Sequence, residues 1–190
     1  MKEVTQNLIY KLVSDKIIER EEAEVYIFGL QQMLINIVNI TVLFIIGICM
    51  HMIVETGVFV LSFIAFRKYA GGYHSKTQLG CFTLTNIVVL IALSVMKYMR
   101  INIYIYIGLY LFAAVIIFLY APIEAENKKL DSIERIVYRK RAMIVLVFQT
   151  LLVAMLGLLK YHNMSKCIML SGFVLCCSML FGMIKAGMKN

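Results

Sequence analysis

The sequence predicts an all-α integral membrane protein: about six hydrophobic helices, some short or not fully spanning, plus an N-terminal amphipathic helix. Three observations predict it. Of the 190 residues, 62% are hydrophobic and 16% charged, against about 45–50% and about 25% in soluble domains. The mean hydropathy is +0.85, and a small soluble domain leaves too much surface exposed to hide so much apolar area. The apolar residues also fall in six runs separated by short polar stretches. Lipid is the solvent that suits this pattern, and the length suits one domain without a separate module.

Residues 1–29 read as an amphipathic helix at the cytoplasmic face or interface. Val4, Leu8, Ile9, Leu12, Val13, Ile17 and Ile18 recur at three-to-four spacing over 1–28, with Lys and Glu between them. Asp15, Glu19, Glu21, Glu22 and Glu24 interrupt this region, so it does not read as a signal peptide. The expectation is insertion through internal segments with the N-terminus retained.

Residues 30–190 then form a polytopic membrane domain. The first apolar segment is roughly 30–50 and starts polar, with Gln31, Gln32, Asn36 and Asn39. The second, about 52–66, carries Glu55 and is short, since a span needs about 20 residues. The third is about 82–97. The fourth, about 101–121, is rich in Ile and Tyr and ends at Ala121-Pro122. The fifth is about 142–159 and the sixth about 167–184. Segments below span length tilt, thin the bilayer or cross incompletely.

Charge sets the expected orientation. With six spans and a cytoplasmic N-terminus, the cytoplasmic regions carry 15 of the 19 Lys and Arg residues. Such a bias is the usual mark of cytoplasmic loops. It places the stretch 67–81 and a basic loop, 122–141, on the cytoplasmic side of a cell membrane. The net charge of +8 is explained in the same way. No basic face interleaved with stacking aromatics points to nucleic acid.

The cysteines, Cys49, Cys81, Cys167, Cys176 and Cys177, include no C-x-x-C, and the histidines lie far apart. No metal site, disulfide framework or cofactor is expected. Four cysteines sit inside apolar runs, where a free thiol packs as a small hydrophobe. Cys81 alone borders a polar stretch, and His74 precedes it by seven residues.

A cysteine beside an imidazole attacks carbonyl groups: the sulfur forms a thioester and the imidazole protonates the leaving amine. Seven residues of straight helix separate two side chains by about 10.5 Å of rise. A hydrogen bond needs about 3 Å. Cooperation between His74 and Cys81 therefore requires the backbone between 71 and 81 to turn back. Gly71, Gly72 and Gly80 flank the pair and supply unusual dihedrals. If Cys81 opens the third apolar helix, the helix N-terminus favours a thiolate and an oxyanion. Ser75, Gln78, Asn86 and Glu55 are open choices for a third group, and a dyad without one is an equal alternative.

The stretch Arg67-Lys68-Tyr69-Ala70-Gly71-Gly72-Tyr73-His74, with Cys81 seven residues on, resembles the signature of the accessory gene regulator protein B (AgrB) family. These are membrane endopeptidases of peptide quorum sensing. Pro122 and Asn127-Lys128-Lys129 resemble the family's Pro-x-x-x-x-Asn-Lys loop. Size, apolar segments and the polar N-terminal helix match as well.

The resemblance implies a cysteine endopeptidase that removes the C-terminal tail of an AgrD-like precursor peptide. An acyl-enzyme thioester on Cys81 then passes to a Cys or Ser of the peptide, closing a thiolactone or lactone ring. It implies Cys81 as nucleophile and His74 as general acid and base. Arg67, Gly72, Lys128 and Lys129 match positions with substrate-binding or supporting roles. A homodimer is the family expectation. Beside this stand two alternatives: a peptide exporter, with Gln31, Gln32, Asn36 and Asn39 lining a path, and a non-catalytic signalling scaffold.

Overall fold

Seven helices occur in the computed structural model, which describes residues 2–72, 78–123 and 131–187. No strand occurs among the described residues. The chain divides into two units, Met1–Leu43 and Phe44–Asn190.

The first unit holds α1, Lys2–Ser14, and most of α2, Ala23–Cys49. The amphipathic helix expected over 1–28 is thus shorter. It stops because Lys16 takes a left-handed φ of 58°. The Lys16 N–H then donates to Val13 O and the Ile17 N–H to Leu12 O, which satisfies carbonyls at the helix end. Gln31 Nε2 donates to Thr5 Oγ1 at 3.1 Å, and Gln32 Nε2 to Asn36 Oδ1 at 3.3 Å. Gln31 thus ties α2 to α1.

The second unit begins in the last turns of α2 and continues through α3, Ile53–Ala70, α4, Gln78–Tyr98, and α5, Ile103–Tyr120. It closes with α6, Ser132–Leu158, and α7, His162–Gly187. His51, at φ 54°, ends α2 as Lys16 ends α1, and Lys160, at φ 63°, does the same for α6. Thr56 lies where a Cβ on Gly47 would be, 2.6 Å from its Oγ1. Only glycine lets α2 and α3 approach so closely there.

Two polar stretches are shorter than expected. The stretch 67–81 contains the last turn of α3 and the first turn of α4, so the helices break only between Ala70 and Gln78. The basic loop expected over 122–141 becomes α6 from Ser132 onward. Asp131 and Glu134 form a reciprocal capping box at its start, and Arg and Lys are good helix formers. Low hydropathy marked this region as a loop, but hydropathy reports the solvent and not the backbone.

Five helices are long and apolar enough to cross a membrane: α2, α4, α5, α6 and α7. The chain is a multi-pass membrane protein. Within its 18 residues α3 carries Glu55, Arg67 and Lys68, so it falls short of a span by composition. On α5, Leu111, Phe112, Val115 and Phe118 are exposed, an apolar outer face that lipid covers.

Helices α3 and α7 form the centre, with α5 and α6 packed against them. Phe59 and Phe66 of α3, Ile117 of α5, and Leu175 and Met179 of α7 are fully buried. A polar knot crosses this core. Ser62 Oγ donates to Gln149 Oε1, Gln149 Nε2 donates back to Ser62 O at 3.0 Å, and Ser171 Oγ donates to Ser62 Oγ at 2.7 Å. Polar groups in an apolar interior are held where they can bond one another.

Successive helices of this unit alternate in direction. Arg67 meets Ser178, Gly71 meets Ile123, and Tyr69 meets Tyr138 at one end. At the other end Lys97 Nζ donates to Met50 O at 2.8 Å, and Lys166 lies over the Tyr106 ring.

Candidate active site

Glycine shapes the start of the site. The Gly71 N–H still donates to Arg67 O, at 3.2 Å, but φ of 80° at Gly71 and 132° at Gly72 end α3. These dihedrals are costly for any residue with a Cβ. Gly71 lies against the chain after α5: the Ile123 N–H donates to Ala70 O at 2.9 Å. A Cβ on Gly71 would sit 2.1 Å from Ile123 O. Gly72 is buried, and a Cβ there would meet Ser178 Oγ at 3.0 Å. Gly80, by contrast, lies inside α4 and takes no left-handed φ. Gly71 and Gly72 thus end α3, while the turn back expected between 71 and 81 runs through 73–77, outside the described residues.

Arg67, in the last turn of α3, is held from two sides. Its Nη1 donates to Ser178 Oγ of α7 at 3.3 Å, and its guanidinium lies 5.6 Å from the Phe63 ring centroid. A planar cation over an aromatic face gains from the ring quadrupole. Burial pushes the guanidinium pKa below its ordinary value, and the charge of Cys81 opposes that fall. The guanidinium remains charged.

Cys81 is half-buried, one turn into α4. With Arg67 it lines one end of a cavity of about 820 Å³ between α3, α4, α5 and α7. The remaining lining is mostly apolar, including Phe63, Val88, Ala92, Leu109 and Phe173. Arg67 is its only charged lining residue among those described. A sulfur nucleophile, a fixed cation and an apolar wall together suit attack on a carbonyl away from bulk water. A fixed cation in an apolar setting stabilises negative charge on a nearby oxygen.

A second group lies at the same end. Tyr69 and Tyr138 meet edge to face at 6.3 Å, with Lys68 and Arg141 5.5 and 5.8 Å from the Tyr69 ring centroid. These contacts tie the C-terminus of α3 to the basic start of α6.

His74, Lys128 and Lys129 lie outside the described residues, as does Ser75. Of the other candidates for a third group, Asn86 Nδ2 donates to Phe82 O at 2.8 Å, back along its own helix. Glu55 stands twelve residues before Arg67, about 18 Å along α3, near Cys167 at the opposite end. It does not join Cys81. Ser178 was missed by sequence reasoning: it lies in an apolar run 111 residues from Arg67 and carries no local motif.

The model of the family described as Accessory gene regulator B matches residues 5–180. An AgrB-like protein of Clostridium perfringens (strain SM101 / Type A) is 26% identical over 178 residues, covering 85% of this chain and 83% of the relative. An AgrB-like protein 2 of Clostridium perfringens (strain 13 / Type A) is 25% identical over 180 residues, covering 86% and 84%. An AgrB-like protein of Listeria monocytogenes serotype 4a (strain HCC23) is 27% identical over 118 residues, covering 62% and 58%. No solved structure matches the chain.

Proposed function

This chain belongs to the accessory gene regulator B family, and from that premise we propose that it is a membrane cysteine endopeptidase that also cyclises its product. Family membership carries involvement in the agr quorum-sensing system. The substrate is an AgrD-like precursor peptide. The observation that supports this reading best is the placing of Cys81 and Arg67 together at one end of an apolar cavity.

The reaction proceeds in two acyl transfers. The Cys81 thiolate adds to the carbonyl carbon of the scissile amide, and the electron pair moves to oxygen. Arg67 faces the oxyanion so formed. Collapse re-forms the carbonyl and breaks the C–N bond, and His74 protonates the leaving amine as the tail departs. A thiol or hydroxyl of the retained peptide then loses its proton to His74 and adds to the thioester. The C–S bond to Cys81 breaks, the ring closes, and the Cys81 thiolate with a protonated His74 is restored. With a peptide thiol, one thioester replaces another, so this step is nearly isoenergetic. Making the first thioester from an amide is uphill. Excluding water protects the acyl-enzyme from hydrolysis, and holding the peptide thiol nearby raises its effective concentration.

The charges support a cytoplasmic placement of this end. Arg67, Lys68, Arg135, Arg139, Lys140, Arg141 and Lys185 lie in helix turns at the Cys81 end, and Lys97, Arg100, Lys160 and Lys166 in turns and connections at the other. Membrane-impermeant thiol reagents applied from the cytoplasmic face should label Cys81, and labelling only from outside contradicts the orientation.

Reconstitution with a candidate precursor, followed by mass spectrometry, tests the activity. Tail release should vanish in Cys81→Ala and His74→Ala. Full cleavage by Cys81→Ala sinks the peptidase assignment.

A further inference from the structure

We infer that the apolar cavity running from Cys81 along α4 is the binding site for the apolar segment of the substrate peptide on the acyl side of the scissile bond. This deepens the proposed peptidase reading and rests on it. Cys81, Thr85, Val88, Ala92 and Val95 all line the cavity. They recur at i, i+4, i+7, i+11 and i+14 and so share one face of α4. The nucleophile stands at one end of that face, and Val95 lies about 21 Å further on.

The cavity exists because α4 packs sparsely against its neighbours while α3, α5 and α7 pack closely. Leu84 and Ile91 line it yet are exposed, so it opens sideways between the helices and a chain enters from the bilayer.

Chemistry selects the occupant. After amide cleavage the tail departs and the acyl part stays bonded to Cys81. That part must lie in the space Cys81 faces. Charge complementarity agrees: the one cation is at the Cys81 end, where the oxyanion forms, and the remaining wall is uncharged. Length sets the number of residues. An extended strand covers 21 Å with about six residues. The inferred preference is thus for about six apolar residues before the cleaved bond, with charged residues excluded beyond the position nearest Arg67.

The test uses the full-length protein in phosphatidylglycerol–phosphatidylcholine vesicles. Two vinyl sulfone probes alkylate Cys81: an N-acetyl hexapeptide of leucine and valine, and N-acetyl-leucine alone. Mass spectrometry reads the rate at Cys81. The hexapeptide should react at least about tenfold faster, a ratio equal to about 1.4 kcal/mol. Val88→Trp and Leu109→Trp fill the cavity from two helices and should abolish this advantage. Thermal unfolding in detergent should match the wild type in both, which reports that each variant is folded. Leu90→Trp, on a residue outside the lining, controls for enrichment of the hexapeptide in the bilayer and should keep the advantage.

Equal rates for both probes in the wild type overturn the inference, as does an advantage that survives both fillings. A benzophenone at Val88 that captures only lipid while the hexapeptide is present also overturns it. If Cys81→Ala still cleaves precursor, the peptidase reading fails instead, and the probe rates show separately whether the cavity binds peptide.

Discussion

Replacing Gly71 by alanine should uncouple the site from its support without unfolding the bundle. The new Cβ stands 2.1 Å from Ile123 O, and 3.1 and 3.2 Å from the Ile123 carbonyl carbon and nitrogen. All three are backbone atoms, so no side-chain rotation relieves the overlap. The φ of 80° adds about 1–2 kcal/mol for a residue with a Cβ. Moving Ile123 away stretches its N–H bond to Ala70 O, worth a net 0.5–1.5 kcal/mol or so. The combined cost is about 1.5–3.5 kcal/mol, or roughly 10-fold to 300-fold in the population of the native turn. The turn leads directly into the segment carrying His74. Precursor cleavage by Gly71→Ala in vesicles should therefore fall by at least about tenfold. Thermal unfolding in detergent should change little, because the central knot of Ser62, Gln149 and Ser171 is untouched. Gly108→Ala and Gly157→Ala serve as comparators, since nothing lies within 4 Å of a Cβ at either position. Wild-type cleavage by Gly71→Ala, or an equal loss in the comparators, refutes this reasoning.

Three further predictions concern single side chains. Ser178→Ala removes an acceptor from Arg67 and should slow turnover about fivefold, the loss of about 1 kcal/mol from a long charge-assisted bond, with KM little changed. An unchanged kcat would show that Arg67 is placed by its other contacts. Arg67→Lys keeps the charge but loses the planar fork that lies over Phe63 and reaches Ser178, so cleavage should drop at least about tenfold; full activity means that charge alone suffices. Gln149→Ala breaks two interhelical bonds to Ser62 at about 0.6–1.7 kcal/mol each. The unfolding temperature should fall while cleavage per folded molecule holds, and an unchanged unfolding temperature refutes the stabilising role of the knot.

Much of the architecture was legible because membrane folding begins with a choice of solvent, and that choice is written in composition. The apolar runs locate α4, α5 and α7 to within a few residues. Boundaries failed where hydropathy and backbone part company. The start of α6 is strongly basic, yet its capping box at Asp131 and Glu134 makes it helical. The end of α1 falls at Lys16 in a left-handed conformation. Glycine is the usual signal for such an end, and its absence there hid the turn.

The sequence by itself determined the solvent, the helical class and the clustering of positive charge, because each follows from residue chemistry; it asked for a turn between 71 and 81 without choosing among Gly71, Gly72 and Gly80. It also singled out Cys81 and His74, and the family match agrees with the resemblance read from that stretch. Only the tertiary structure decided which residues meet. Arg67 and Ser178 are 111 residues apart, Ser62 and Gln149 are 87 apart, and Gly71 closes on Ile123. Such contacts depend on how helices pack, which no local pattern records. The same packing leaves α4 apart from its neighbours and so opens the cavity beside Cys81.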